Sequence, residues 1–160
     1  MLNQKVTITK ILDDLVQRYP KLDKNRDGIF RVYELLCTCF QGGNKILVCG
    51  NGGSAADANH IVGELMKRFL KKRPLNEEMQ ERLTCISTKR GRYLAENLEL
   101  AFPAISLSAN DVLVSAISND THSSLSYAQQ VLGYGNKGDV FIGISTSGDA
   151  DNVLNAAVTA

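Results

Sequence analysis

Two short stretches rich in glycine and hydroxyl residues, Cys49-Gly-Asn-Gly-Gly-Ser-Ala-Ala-Asp57 and Gly143-Ile-Ser-Thr-Ser-Gly-Asp149, carry the most legible chemistry in this chain. Each follows a run of apolar residues and leads into a helical pattern, so small residues and hydroxyls fall where a helix begins. Backbone N–H groups, the positive end of a helix dipole and the hydroxyls of Ser54, Ser145, Thr146 and Ser147 together suit one phosphate. Such loops also serve as plain turns and helix caps, but a matched pair at two strand ends favours the anion reading. His60 and Glu64 are four apart in the stretch after the first loop, so a helix there projects both from one face. An imidazole and a carboxylate so placed can ligate a metal, or the carboxylate can move a proton beside a bound phosphorylated substrate. The plainer alternative is a surface pair or a satisfied histidine.

Other patterns compete. Gly50-x-Gly52-x-x-Ala55 fits a dinucleotide fingerprint, but the acidic residue that should end the next strand about 20 residues on has no strand to end. No glycine loop carries the Gly-Lys-Ser/Thr of a nucleotide triphosphatase. Asp23, Asn25, Asp27, Gly28 and Glu34 match the calcium-loop positions of an EF-hand, yet Pro20 interrupts the incoming helix and there is one copy. A polar helix-to-helix loop explains the same residues. His122 reads as a surface or cap residue. Cys37, Cys39, Cys49 and Cys85 form no CxxC pair and read as core residues in a reducing compartment, the cytoplasm.

The elements that must position these groups follow from periodicity. Ile8, Ile11, Leu12, Leu15 and Val16 fall three and four apart between Val6 and Tyr19 and predict a helix closed by Pro20. A second helix runs from Ile29 to Phe40 and ends at Gly42-Gly43. The period then changes: 45–49 reads as a strand covered on both faces, followed by the first glycine loop and a helix over 55–69. Residues 70–103 read as a charged insertion, part helix, with turn-formers over 84–92. A second strand is expected at 104–108, helices at 111–117 and 123–132 on either side of Ser118-Asn119-Asp120, a third strand at 139–144 and a helix from 152 on. Strands separated by helices imply right-handed βαβ units, a parallel sheet and a ligand beyond the carboxyl ends of the strands.

Composition bounds the function. The chain has 160 residues, and its 18 Lys+Arg against 17 Asp+Glu give a net charge of +1, which argues against nucleic acid or an anionic membrane as partner. No stretch approaches the roughly 18 apolar residues of a membrane span, and the first residues lack a signal peptide's apolar core. The expected organisation is one domain over 1–160, with a helical pair at 1–43 and an α/β core at 44–160.

The string CGNGGSAADANHIVGEL, with AISND and GISTSGDADNV, resembles the sugar isomerase (SIS) domain family, specifically the phosphoheptose isomerase group that acts on sedoheptulose 7-phosphate. The resemblance implies a flavodoxin-like αβα sandwich and a homo-oligomer, dimer or tetramer, with sites at subunit interfaces. The two leading helices resemble that group's dimerisation helices. It also implies that Asn51, Gly52, Gly53, Ser54, Ser145, Thr146 and Ser147 contact a sugar phosphate and that Asn119 and Asp120 line the pocket. His60 and Glu64 align with zinc ligands, Glu64 also with a catalytic acid-base, and Arg68 with a further pocket residue. The reaction implied is aldose–ketose isomerisation through an enediol. Ala150 and Asp149 stand where the family commonly has Ser and Asn. The family's last strands and helix, with a Gln and a His that complete the site, are expected to be missing here. The alternative is a non-catalytic relative: a sugar-phosphate sensor, or an interaction protein of the replication-initiator-associating type.

Overall fold

A computed structural model describes residues 2–160, with side chains from residue 7 on. Helices α1 (Leu2–Arg18) and α2 (Arg26–Gln41) lead, joined by a 3-10 stretch at Pro20–Asn25. The chain then alternates as β1 (Ile46–Gly50), α3 (Gly53–Met66), α4 (Glu77–Ile86), α5 (Thr88–Asn97), β2 (Ala104–Ser106), α6 (Asp111–Asp120), α7 (Ser126–Tyr134), β3 (Val140–Ile144) and α8 (Asp151–Thr159). The predicted start of the first helix at Val6 falls within α1, but its side chain lies outside the described residues.

The three strands are parallel in the order β2-β1-β3, with Ile46 opposite both Ala104 and Val140. β1 is buried throughout, which is why it reads as a continuous apolar run. Its alternate residues feed two cores. Leu47 and Cys49 pack with Tyr127 and Val131 of α7 and Val153 and Ala156 of α8; Ile46 and Val48 pack with Cys39 of α2 and Ala58 of α3. This is an αβα sandwich, and the 2-1-3 order is that of the flavodoxin-like fold. Burial pushes the Cys49 thiol up to about 12, so it serves as a small hydrophobe. Among the described residues no helix is long and apolar enough to cross a membrane.

Several expectations are corrected. Asp27 and Gly28 lie in the first turn of α2, and Arg26 pairs with Asp13 of α1, so the EF-hand spacing belongs to a helix junction rather than a cation loop. The 84–92 stretch is helical apart from Ser87, which ends α4 and accepts the Arg90 N–H at 3.3 Å to cap α5. Helix α6 continues through Ser118-Asn119-Asp120. Ser118 within it donates to the Val114 carbonyl and Thr121 just past its end to that of Ile117, both at 2.7 Å. Cys85 is exposed, unlike the core residue expected.

Candidate functional site

β1 and β3 end side by side, Gly50 opposite Ile144, so the two glycine–hydroxyl loops leave the sheet as neighbours. Between β1 and β3 the order of strand addition reverses, and ligands in open α/β sheets bind in the crevice this opens. The first loop needs glycine twice. Gly52 has φ +53°, and a Cβ on Gly50 would lie 2.6 Å from the Ser54 carbonyl oxygen, so the start of α3 rests directly on the strand end.

Side chains lock the two loops together. Asn51 and Asn152 exchange amide hydrogen bonds of 2.8 and 2.9 Å across the crevice. Tyr127 donates to the Gly50 carbonyl at 2.7 Å and lies 3.1 Å from Asn51 Oδ1; Ser108, just past β2, donates to the same carbonyl at 2.9 Å. Ser54 is buried in the first turn of α3. Ser145 and Ser147 lie 3.3 Å apart, and they accept the N–H groups of Gly148 and Asp149 at 3.1 and 3.2 Å, so these hydroxyls hold the turn. Thr146 between them is exposed.

The remaining residues stand further off. His60 and Glu64 do share α3, and Glu64, eleven residues beyond Gly53, is about 16 Å along the helix. His60 is exposed. Glu64 Oε1 meets Lys67 Nζ at 2.8 Å, while Oε2 is buried without a hydrogen-bond partner. Arg68 lies past the end of α3 and pairs with Glu99 at 3.3 Å. Asn119 donates to Asp120 at 2.9 Å, both exposed on the last turn of α6. They line a shallow trough on that helix with Asp111 and Ser115, not the β1–β3 crevice. A separate cavity of about 360 Å³ at the opposite end of β3 is lined by Asn136, Lys137, Asp139 and Thr159 among apolar residues.

His60 and Glu64 share α3 at a spacing that suits two positions of a zinc site. A catalytic zinc takes three protein ligands, and among the described residues no group of three His, Cys, Asp or Glu converges. The residues present therefore do not make a complete site.

Sequence reasoning passed over Ser108, Tyr127 and Asn152. Ser108 follows a strand and Asn152 lies in the second loop's own motif, so both were reachable by the strand-end rule; Tyr127 carries no local signal.

A sequence profile of the SIS domain matches residues 12–95. The chain is 38% identical over 129 residues to a phosphoheptose isomerase of Synechocystis, covering 81% of this chain and 53% of that protein. It is 41% identical over 128 residues to phosphoheptose isomerase 1 of Campylobacter jejuni, covering 80% and 55%. It thus spans about half the length of the curated relatives it matches. Among solved structures, it is similar to the phosphoheptose isomerase of Francisella tularensis at a TM-score of 0.68 and 25% identity, covering 98% of this chain and 69% of that one. The Neisseria gonorrhoeae phosphoheptose isomerase gives 0.60 and 28%, covering 99% and 68%.

Proposed function

The chain belongs to the SIS domain family, and from that membership we propose that it acts as a phosphosugar isomerase on sedoheptulose 7-phosphate or a similar ketose phosphate. The observation that carries the reading is the pairing of the two helix-start loops at the β1–β3 crevice through Asn51 and Asn152. Two helix N-termini with Ser54, Ser145, Thr146 and Ser147 offer a phosphate dipoles and hydroxyls of one sense. A bound phosphate would take over the one hydroxyl proton that joins Ser145 and Ser147.

The distance from these loops to Glu64 supports a long substrate, because in a ketose 7-phosphate the exchanged hydrogen lies at the opposite end of the sugar from the phosphate. In our reading Glu64 removes the proton next to the carbonyl, an enediol forms, and the same carboxyl returns the proton to the neighbouring carbon. Oε2 is the acceptor for that step, and Lys67 on Oε1 orients the carboxylate. Arg68, Asn119 and Asp120 belong to the proposal as pocket residues contributed toward a second copy, since each is exposed and away from the crevice. Zinc enters it only as a group that His60 and Glu64 would help hold, polarising a carbonyl when bound; no step here is routed through it. The unpaired thiols agree with a cytoplasmic setting.

Calorimetric titration with a ketose phosphate tests the anion site. Binding is expected in the parent, with Ser54→Ala and Ser147→Ala each weakening it by about tenfold, the scale of a hydrogen bond to a charged group. Unchanged affinity in both variants removes the site. With the complete active site assembled, binding that persists without turnover, in the parent as in Glu64→Gln, would replace the enzyme by a sugar-phosphate sensor.

A further inference from the structure

Between α3 and β2 the chain leaves the three-layer body and returns to it. On the way out, residues 67–73 are neither helix nor strand. Helices α4 and α5 then form a hairpin that closes on a narrow stalk, an antiparallel bridge between Pro74 and Glu99 with the Leu100 N–H donating to the Arg73 carbonyl at 2.7 Å. The two helices cross at Gly91, where a Cβ would fall 1.9 Å from the Leu83 carbonyl oxygen, so the hairpin is tightly packed up to its closing residue.

Arg68 sits in the irregular outgoing segment, where no ladder of backbone bonds fixes a long side chain. Its side chain is 58% exposed, and Nη1 meets Glu99 Oε1 at 3.3 Å. Glu99 is the reverse case: its side chain is 12% exposed, and Oε2 is buried without a partner. Taking a carboxylate out of water is costly, and the stalk closes through backbone groups that need no charge at this position. The charge of Glu99 answers to Arg68. Lys67 links this pair to Glu64, its ammonium meeting Glu64 Oε1 at 2.8 Å and the Arg68 carbonyl at 3.4 Å. A guanidinium carries five N–H groups in a planar fork, and among the described residues the Arg68 fork faces Glu99 alone, which leaves its other N–H groups for a ligand oxygen.

We propose that Glu99 is a positioning residue for Arg68: it holds the guanidinium in one orientation, so that the α4–α5 hairpin, which closes at Glu99, sets where Arg68 meets the phosphosugar. The inference rests on the reading of Arg68 as a pocket residue. A long side chain that is free in water loses rotamer freedom when it binds a ligand. One already held by a buried carboxylate has lost that freedom beforehand, and the difference is gained as affinity.

A double-mutant cycle read by calorimetric titration with sedoheptulose 7-phosphate tests it. Arg68→Ala is expected to weaken binding about tenfold, the scale of a hydrogen bond to a charged group. Glu99→Gln, which keeps the size and removes the charge, is expected to weaken it about fivefold, the scale of ordering one long side chain. Added to Arg68→Ala, the same change is expected to cost nothing further, because the group it positions is gone; a purely structural Glu99 would add its own loss. Glu99→Met separates fold from function. It removes a buried oxygen without a partner, so urea unfolding is expected to show a chain at least as stable as the parent, yet one that binds the sugar as weakly as Glu99→Gln. A parent that binds the sugar, with Arg68→Ala weakened but both Glu99 variants unchanged, or with losses that add in the double variant, overturns the role of Glu99 and leaves the functional reading standing. A parent that binds no sugar phosphate overturns that reading and this role with it.

Discussion

Glu64 presents its two carboxylate oxygens to different surroundings, Oε1 to an ammonium at 2.8 Å and Oε2 to a buried space without a donor. Leaving a buried acceptor unpaired costs about 1–3 kcal/mol, and the cost is intelligible if that oxygen takes a proton during turnover. Glu64→Gln keeps the shape and an acceptor for Lys67 but removes the basic oxygen. With the complete active site assembled, this change is expected to leave phosphosugar affinity largely intact and to lower the rate of isomerisation by about a hundredfold or more. Steady-state kinetics beside calorimetry separate the two effects, and an unaltered rate would end the catalytic role given to Glu64. At this scale the sequence is most readable where a backbone shape demands a residue type. Gly52, at φ +53°, and the hydroxyls of the two loops belong to that class. Tyr127 and Ser108 do not, because a tyrosine on a helix and a serine after a strand become loop-holding groups only once the sheet brings them to Gly50.

A helix can be positioned by a group well outside it, as the end of α3 shows. The last carbonyls of any helix lack partners within it, and here the Arg73 guanidinium donates to those of Leu65 (2.7 Å) and Lys67 (2.6 Å) from beyond the helix end. The same guanidinium lies 4.6 Å from the centre of the Phe102 ring, which packs on Phe40 of α2 at 4.7 Å. Arg73 thereby ties the end of α3, with Glu64, to the α2 layer. Arg73→Ala is expected to cost about 2 kcal/mol in urea unfolding and to speed amide exchange in the last turn of α3. Arg73→Lys recovers little, because an ammonium does not reproduce the contact of the planar guanidinium with the Phe102 ring. Elements whose apolar spacing is strong, α1 to α3 and the three strands, are legible in the sequence to within a few residues. The α4–α5 hairpin and the last turn of α6 are not. Their charged and hydroxyl residues read as turn-formers, yet those side chains bond inside the helix or cap it, as Ser87 and Ser118 do.

At the scale of the whole molecule, the crevice exists only if β1 and β3 hold their register from residues far apart in sequence. Besides the backbone ladder, one polar clamp joins the starts of the two strands. Asp139 accepts the Lys45 N–H at 2.9 Å, the Lys45 ammonium at 2.5 Å and the Asn136 N–H at 2.8 Å. Burial alone would raise the Asp139 pKa, but the bonds from Lys45 and Asn136 outweigh it and hold the carboxyl below its ordinary value. Such a carboxylate binds its proton less readily folded than unfolded. Its contribution to stability is therefore complete above the ordinary aspartate pKa of about 3.9 and is lost as the pH falls through the lower folded value. Asp139→Asn is expected to cost about 1–3 kcal/mol at pH 7, since it removes the charge opposite Lys45 and an acceptor while keeping the side chain's size. It is also expected to flatten the fall of stability between about pH 5 and pH 3. Urea unfolding of parent and variant across that range measures both effects. Coincident curves at every pH would show that the Asp139 proton is bound alike in the folded and unfolded chain, and that the register of β1 and β3 rests on the backbone ladder and the two cores alone.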